Sequence, residues 1–297
     1  MNQVRAAIIP ATERLSAYGT LAKPDVTFLV IMTTVAGFYA GSRGPLDWPL
    51  LIHTVLGTTM VAAGTAALNH YAERASDAHM RRTAARPLPS GTIQPAHAFW
   101  FGAILIMAGI VYLGMLSTFL AALLALMTSA LYLGVYTPLK TKTSLATFIG
   151  AFPGAIPPLI GWAAAHGSLS LGAWILFGIL FFWQFPHFLA IAWMYREDYA
   201  RAGIQMLPVV EPSGDRTFRQ IIGTAAVLVP ISLLPTVIGM TGVGYFFGAL
   251  VLGMALLQMC LWADRSRTNI RAKWLMHATV IYIPLLLGLM IVDRVPH

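Results

Sequence analysis

The chain has 297 residues, of which 58% are hydrophobic and 10% charged, whereas an ordinary soluble domain carries about 25% charged residues. A water-soluble globule needs more polar side chain than this to clothe its surface. A soluble enzyme, a disordered chain, a coiled coil and a nucleic-acid-binding domain are therefore excluded, despite the net charge of +8.

A bilayer core about 30 Å thick needs roughly 20 apolar residues per helix. In chain order, nine stretches meet that need: 23–42, 49–69, 96–115, 118–137, 145–165, 171–194, 220–240, 243–263 and 274–292. Ahead of them, residues 1–20 form an N-terminal segment without the compact charged–apolar–cleavage pattern of a removable signal. Leu116-Ser117 divides the third span from the fourth. Gly150, Pro153, Gly154, Pro157, Pro158 and Gly161 predict a bend and close helix approach in the fifth. Pro186 predicts a kink in the sixth. The single cysteine, Cys260, excludes an intrachain disulfide or a cysteine-held metal cluster.

With the N-terminus inside, seventeen of the nineteen Lys and Arg residues fall in inner segments, leaving only Arg43 and Arg294 outside. That asymmetry follows the positive-inside rule, and an eight- or ten-span arrangement would spoil it. The expected architecture is all-α: one polytopic membrane domain over residues 1–297, with nine transmembrane helices in a bundle, N-terminus cytoplasmic and C-terminus outside. The basic balance reports topology and attraction to anionic lipid.

The acidic residues are also uneven. Long polar connections follow the second and sixth spans, and long ordered loops are more often functional than merely connecting. In the first, Asn69, Glu73 and Asp77 recur at i, i+4 and i+8, so a helix continuing through them puts three oxygen-bearing side chains on one face. Such a ladder suits Mg²⁺, which takes oxygen ligands and binds through one or two carboxylates plus substrate phosphates; the spacing also fits a solvated helix end. Arg81, Arg82 and Arg86 follow, and Lys140 and Lys142 close the fourth span. Guanidinium forks match phosphate oxygens, while the same residues also fit an ordinary basic inner loop. Near the end of the sixth span, Trp183, Gln184 and His187 suit a flat, carboxylate-bearing ligand or an iron atom, or else a hydrogen-bonded structural histidine. Asp198 offers a further carboxylate to a metal. The aromatics Trp162, Trp174, Trp193, Trp262 and Trp274 fit interfacial belts or core filling.

Together the motifs Asn69-x-x-x-Glu73-x-x-x-Asp77-x-x-Met80-x-Arg82-Thr83-x-x-Arg86-Pro87-Leu88, Trp183-Gln184-Phe185-Pro186-His187-Phe188 and Asp198-Tyr199-x-x-Ala202-Gly203-x-x-Met206-Leu207-Pro208 resemble the intramembrane prenyltransferases of the UbiA superfamily. More narrowly they resemble its protoheme IX farnesyltransferase (heme O synthase) branch. Tyr136-Thr137-Pro138-Leu139-Lys140 and Gly154-Ala155-Ile156-Pro157-Pro158 extend the likeness, which runs collinearly over roughly residues 20–290. The resemblance implies a helical bundle around a central cavity opening toward the inner face of the cell membrane. It implies transfer of farnesyl from farnesyl diphosphate to a vinyl group of protoheme IX (heme B), with addition of water, giving heme O and diphosphate. It further implies Mg²⁺ at Asn69, Glu73, Asp77 and Asp198, diphosphate at Arg82, Arg86, Lys140 and Lys142, heme at His187, Trp183 and Gln184, and a downstream heme A synthase as partner. Two departures stand out: Ala202 occupies the fourth position after Asp198, where quinone-type relatives carry a second aspartate, and Ala146 stands where many relatives carry Asn. A prenyltransferase acting on an aromatic or quinone precursor would share the bundle. A transporter would place its polar residues nearer the bilayer midplane.

Overall fold

A computed structural model describes residues 10–295; Arg5, counted above among the inner basic residues, lies outside the described residues. A short helix, α1 (Ala11–Leu21), precedes the membrane segments. The first spans are α2 (Pro24–Gly41), α3 (Trp48–Asp77), α4 (Pro95–Leu116) and α5 (Phe119–Leu139). The fifth span is two pieces, α6 (Ala146–Ala155) and α7 (Pro157–His166), and the sixth is α8 (Leu171–Met194). After two short helices, α9 (Arg196–Arg201) and α10 (Leu207–Val210), come α11 (Asp215–Val237), α12 (Val243–Asp264) and α13 (Asn269–Val292). Among the described residues nine segments are long and apolar enough to cross a membrane, matching the nine predicted stretches. The molecule is a multi-pass membrane protein.

Local chemistry sets several boundaries. Asp47 Oδ1 accepts from the backbone N–H of Leu50 at 3.0 Å, with Pro49 in the first turn of α3. Thr118 accepts from Ala121 at 3.1 Å and restarts the chain after the Leu116-Ser117 break; a side-chain acceptor here satisfies one of the orphan N–H groups of a helix start. The fifth span breaks at Ile156, which itself keeps helical dihedrals (φ −74°, ψ −32°), because Pro157 and Pro158 have no N–H to donate to the preceding turn. Pro186, by contrast, leaves α8 helical without interruption from Leu171 to Met194, so the expected kink does not divide the helix. Two extents differ from the sequence expectation. α3 continues for 30 residues, roughly 45 Å at 1.5 Å per residue, and carries its last two turns past the apolar segment. α11 begins at Asp215, five residues earlier than the hydropathy suggests, because its first turn is polar.

In lipid, helices associate through close packing of small residues. α3 and α4 meet this way: a Cβ on Gly64 would lie 2.6 Å from the Gly102 carbonyl oxygen, and one on Gly102 would lie 2.8 Å from that of Gly64. α2 and α7 approach more closely still. A Cβ on Gly161 would stand 1.8 Å from the Thr34 carbonyl oxygen, and the Thr34 hydroxyl donates to the Pro157 carbonyl at 3.2 Å. The main core gathers α2, α7, α8 and α11 to α13 around Phe38, Leu159, Leu176, Phe218 and Tyr245. Trp162 and Trp193 are buried in the bundle, while Trp174 and Trp274 face outward. α1 packs through Ala17 and Leu21 against Ala67, Leu88 and Ala98 of the α3–α4 region. The beginning of α2 and the ends of α3 and α5 thereby meet at the same end of the bundle as α9 and α10.

Candidate active site

The extension of α3 places Asn69, Glu73 and Asp77 on one helical face, and all three are buried, at 1%, 9% and 0% exposure. Each is engaged by a neighbouring element. From the α1–α2 turn, Lys23 Nζ donates to Asn69 Oδ1 at 2.7 Å. Asn69 Nδ2 donates to Glu73 Oε1 at 2.5 Å and to Thr137 Oγ1 at 3.3 Å. The Lys140 ammonium forms an ion pair with Glu73 and lies 5.3 Å from the Tyr136 ring centre. Arg86 Nη1 pairs with Asp77 Oδ2 at 2.8 Å, and the Thr83 hydroxyl donates to the Asp77 carbonyl at 2.8 Å, folding the 78–94 connection back over the helix end.

Asp198, on α9, joins from the opposite side. Its Oδ2 accepts from the backbone N–H of Arg82 at 3.3 Å, and its Oδ1 pairs with Arg201. The Arg82 guanidinium lies over the Tyr195 ring at 4.8 Å. Backbone hydrogen bonding ties the two sides together, since Gln205 N–H donates to the Lys140 carbonyl at 2.8 Å. A small apolar knot of Met80, Ala192, Ile204 and Met206 fixes the loops, and Ala202 packs against it. The position where quinone-type relatives carry a carboxylate is thus a packing position here. Ala146, at the start of α6, is fully buried.

The conformation of α5 serves the site. Residues Leu131–Tyr136 form a π-helical turn, a rare element found mostly at functional sites. The wider turn is closed in part by the Thr137 hydroxyl, which donates to the Tyr132 carbonyl at 2.8 Å. Tyr132 and Tyr136 lie ring against ring at 5.1 Å.

The fit of a divalent cation can be judged from these contacts. Asp77 Oδ1 is buried without a hydrogen-bond partner among the described residues, an oxygen left free beside two further oxygen-bearing side chains. That donor chemistry suits a hard cation such as Mg²⁺. Among the described residues no three His, Cys, Asp or Glu side chains converge closely enough to enclose a metal; Arg86, Lys140 and Arg201 pair with Asp77, Glu73 and Asp198.

The other expected site residues sit elsewhere. Lys142 is exposed in the turn after α5. Trp183 and Gln184, expected on the heme side, are 2% exposed and bonded to neighbouring helices: Trp183 Nε1 donates to the Thr279 carbonyl at 2.8 Å, and Gln184 Nε2 to the Ala151 carbonyl at 3.0 Å. Their polar atoms knit α8 to α13 and α6. His187 stacks on Trp183 at 5.1 Å, and its Nδ1 meets the Thr279 hydroxyl at 2.8 Å; the ring is partly exposed.

Sequence reasoning missed Lys23, which it counted only toward topology. The signal was a lysine directly before Pro24, where a span begins. Its backbone lies in the left-handed region at φ 46°, a strained conformation for a residue with a Cβ. Burial lowers its ammonium to about 8, with the Glu73 carboxylate opposing that shift. Tyr199 was likewise overlooked: burial raises its phenol above the ordinary value, and Arg82 and Lys140 act in the other direction.

Residues 30–281 match the UbiA prenyltransferase family. The chain belongs to this family. A Solibacter usitatus protein named protoheme IX farnesyltransferase is 47% identical over 286 residues, covering 93% of this chain and 98% of that protein. An Aquifex aeolicus protein of the same name is 40% identical over 285 residues, covering 95% and 96%. The family fold is seen in solved structures too. A digeranylgeranylglyceryl phosphate synthase superposes with a TM-score of 0.77 at 19% identity, over 95% of this chain and 98% of that one. A UbiA homolog from Archaeoglobus fulgidus bound to DMAPP and Mg²⁺ gives 0.67 at 14% identity, over 92% and 98%.

Proposed function

We propose that this chain transfers a farnesyl group from farnesyl diphosphate to a vinyl group of protoheme IX, with addition of water, giving heme O and diphosphate. The full-length identity to proteins of that name supports the acceptor and donor. The observation that carries the chemistry is the gathering of Lys23, Arg86 and Lys140 around the buried Asn69, Glu73 and Asp77. An allylic diphosphate ionises when its leaving group is neutralised, and fixed charges in a water-poor site do this without reorganising at the moment of reaction. Asn69, Glu73, Asp77 and Asp198 are the residues that hold Mg²⁺, which when bound supplies charge neutralisation to the departing diphosphate. Lys140 and Arg86 exchange their carboxylate partners, and Lys23 its Asn69 amide oxygen, for phosphate oxygens. Arg82 adds its guanidinium from the loop, and Lys142 draws the anion from solution. The apolar bundle takes the fifteen-carbon tail and keeps water from the allylic cation. The carbon–oxygen bond to diphosphate breaks, a carbon–carbon bond to the vinyl group forms, and water supplies the hydroxyl and releases a proton.

His187 is the residue assigned to the heme side, with Trp183 and Gln184 setting its helix. The chain acts as one domain in the cell membrane, with its N-terminus and reaction site on the cytoplasmic face, its C-terminus outside and a heme A synthase downstream. The test is incubation of the purified protein with protoheme, farnesyl diphosphate and Mg²⁺, followed by extraction and mass analysis of the heme. Heme O is expected. Unchanged protoheme, with prenylation of an added phenolic acid instead, would replace this reading with the aromatic-acceptor one.

A further inference from the structure

We infer that His70 is a diphosphate-binding residue of this chain, donating a ring N–H to an oxygen of the leaving group from the membrane side of the acidic ladder. The ring is 2% exposed, and neither Nδ1 nor Nε2 has a hydrogen-bond partner among the described residues. Buried polar side chains are almost always partnered, and an orphaned one calls for an explanation. A histidine that only filled space would find a carbonyl or hydroxyl for at least one nitrogen, as His53, His79 and His277 do in this molecule.

The position of His70 on α3 says what the missing partner is. At 100° per residue, counted from Asn69, Glu73 stands at about 40°, Asp77 at about 80° and His70 at about 100°. The imidazole therefore shares the face of the ladder, nearly beneath Asp77 and two turns closer to the membrane. Among the described residues, the other orphaned polar atom in the ladder turns, 69–77, is Asp77 Oδ1. The charged side chains close enough to act on the ring are the cations Lys23 and Arg86 and the anion Glu73. A metal is the wrong partner for the ring, since Mg²⁺ takes oxygen donors and two of its three charged neighbours are cationic. An anion carrying several acceptor oxygens is the right one: a neutral imidazole always keeps one N–H to donate, and Lys23 and Arg86 converge on the same place. Asp77 Oδ1 then serves the cation side of the ligand and His70 the anion side. The inference rests on the prenyl diphosphate reading above and deepens it.

Isothermal titration of the full-length purified protein with inorganic diphosphate and Mg²⁺ tests it, comparing wild type, His70→Gln and His70→Leu. Gln keeps an N–H donor, whereas Leu keeps only bulk. The expected result is affinity about tenfold lower in His70→Leu and within about threefold of wild type in His70→Gln, with the thermal melting in detergent unchanged in both. In turnover, KM for farnesyl diphosphate rises in His70→Leu while KM for protoheme stays. Wild-type affinity in His70→Leu overturns the inference, and so does an equal loss in both variants, which marks a packing residue. Where the leucine variant does not fold, His70→Asn, whose amide is too short to reach, stands in for it under the same outcomes. If the wild type itself fails to bind Mg²⁺ with diphosphate, the proposed function falls, independently of His70.

Discussion

The proposed chemistry turns on Asp77. Its side chain is fully buried, with one oxygen paired to Arg86 and the other free. Asp77→Ala removes the free oxygen and releases Arg86, so turnover should fall at least about a hundredfold, the loss typical of deleting one well-placed electrostatic group. The variant should still insert into the membrane, and heme O output from purified protein against membrane-fraction yield separates the two effects. The ladder was legible in the sequence because a helix repeats nearly every four residues. Lys23 was not, because its role depends on a left-handed turn that brings α1–α2 across to Asn69, and spacing along the chain carries no trace of that approach. Trp183 and Gln184 show a packing role that residue type alone did not reveal. Both residue types suit a heme pocket, yet in the folded chain their N–H groups satisfy carbonyls of neighbouring helices.

At the scale of elements, the π turn in α5 and the glycine contacts of α2 and α7 carry the consequences. Gly134 lies inside the π turn with no atom within 4 Å of an added Cβ. Inserting one alanine directly after it, at the helical step of 100° per residue, should rotate Tyr136, Thr137 and Lys140 by about 100° against the part of α5 that packs on α3. Turnover should be lost while the protein still folds, and loss of inorganic diphosphate binding in calorimetry checks that the rotation disarms the site. Gly161→Ala should act on stability instead. Its methyl would collide with the backbone oxygen of Thr34, which cannot swing aside, so a loss of about 1–3 kcal/mol is expected, read as a lower melting temperature in detergent. Hydropathy revealed the spans but neither of these features. A six-residue π segment has the same apolar composition as α-helix, and which glycine meets which carbonyl is fixed only when two helices cross. The interruption at Ile156, by contrast, was written in Pro157 and Pro158.

For the whole molecule, the nine spans among the described residues, joined by short turns at one end and long basic connections at the other, carry the proposed sidedness. Single cysteines placed at Gly44 and Ala84, in a Cys260→Ser background, should label from opposite faces of intact spheroplasts: the first with an impermeant maleimide added outside, the second only after lysis. Labelling of both from one side would contradict the topology. Cys260 itself is fully buried, so its replacement removes no accessible group. Overall architecture was the most legible property of the sequence, because lipid demands a continuous apolar run from every crossing helix and charge decides which way each loop lies.

The ion pairs of Glu73 with Lys140 and Asp77 with Arg86 mean that the resting enzyme neutralises itself. An incoming polyanion must displace the protein's own carboxylates, so affinity reports a trade between two sets of partners rather than attraction to bare cations. Disarming one internal competitor should accordingly have opposite effects on capture and conversion: Glu73→Gln is expected to grip metal-free diphosphate more tightly than wild type, by calorimetry, while producing less heme O. Ordinary cellular polyanions would meet the same latch, a safeguard for a cluster of positive charge gathered at one end of the bundle.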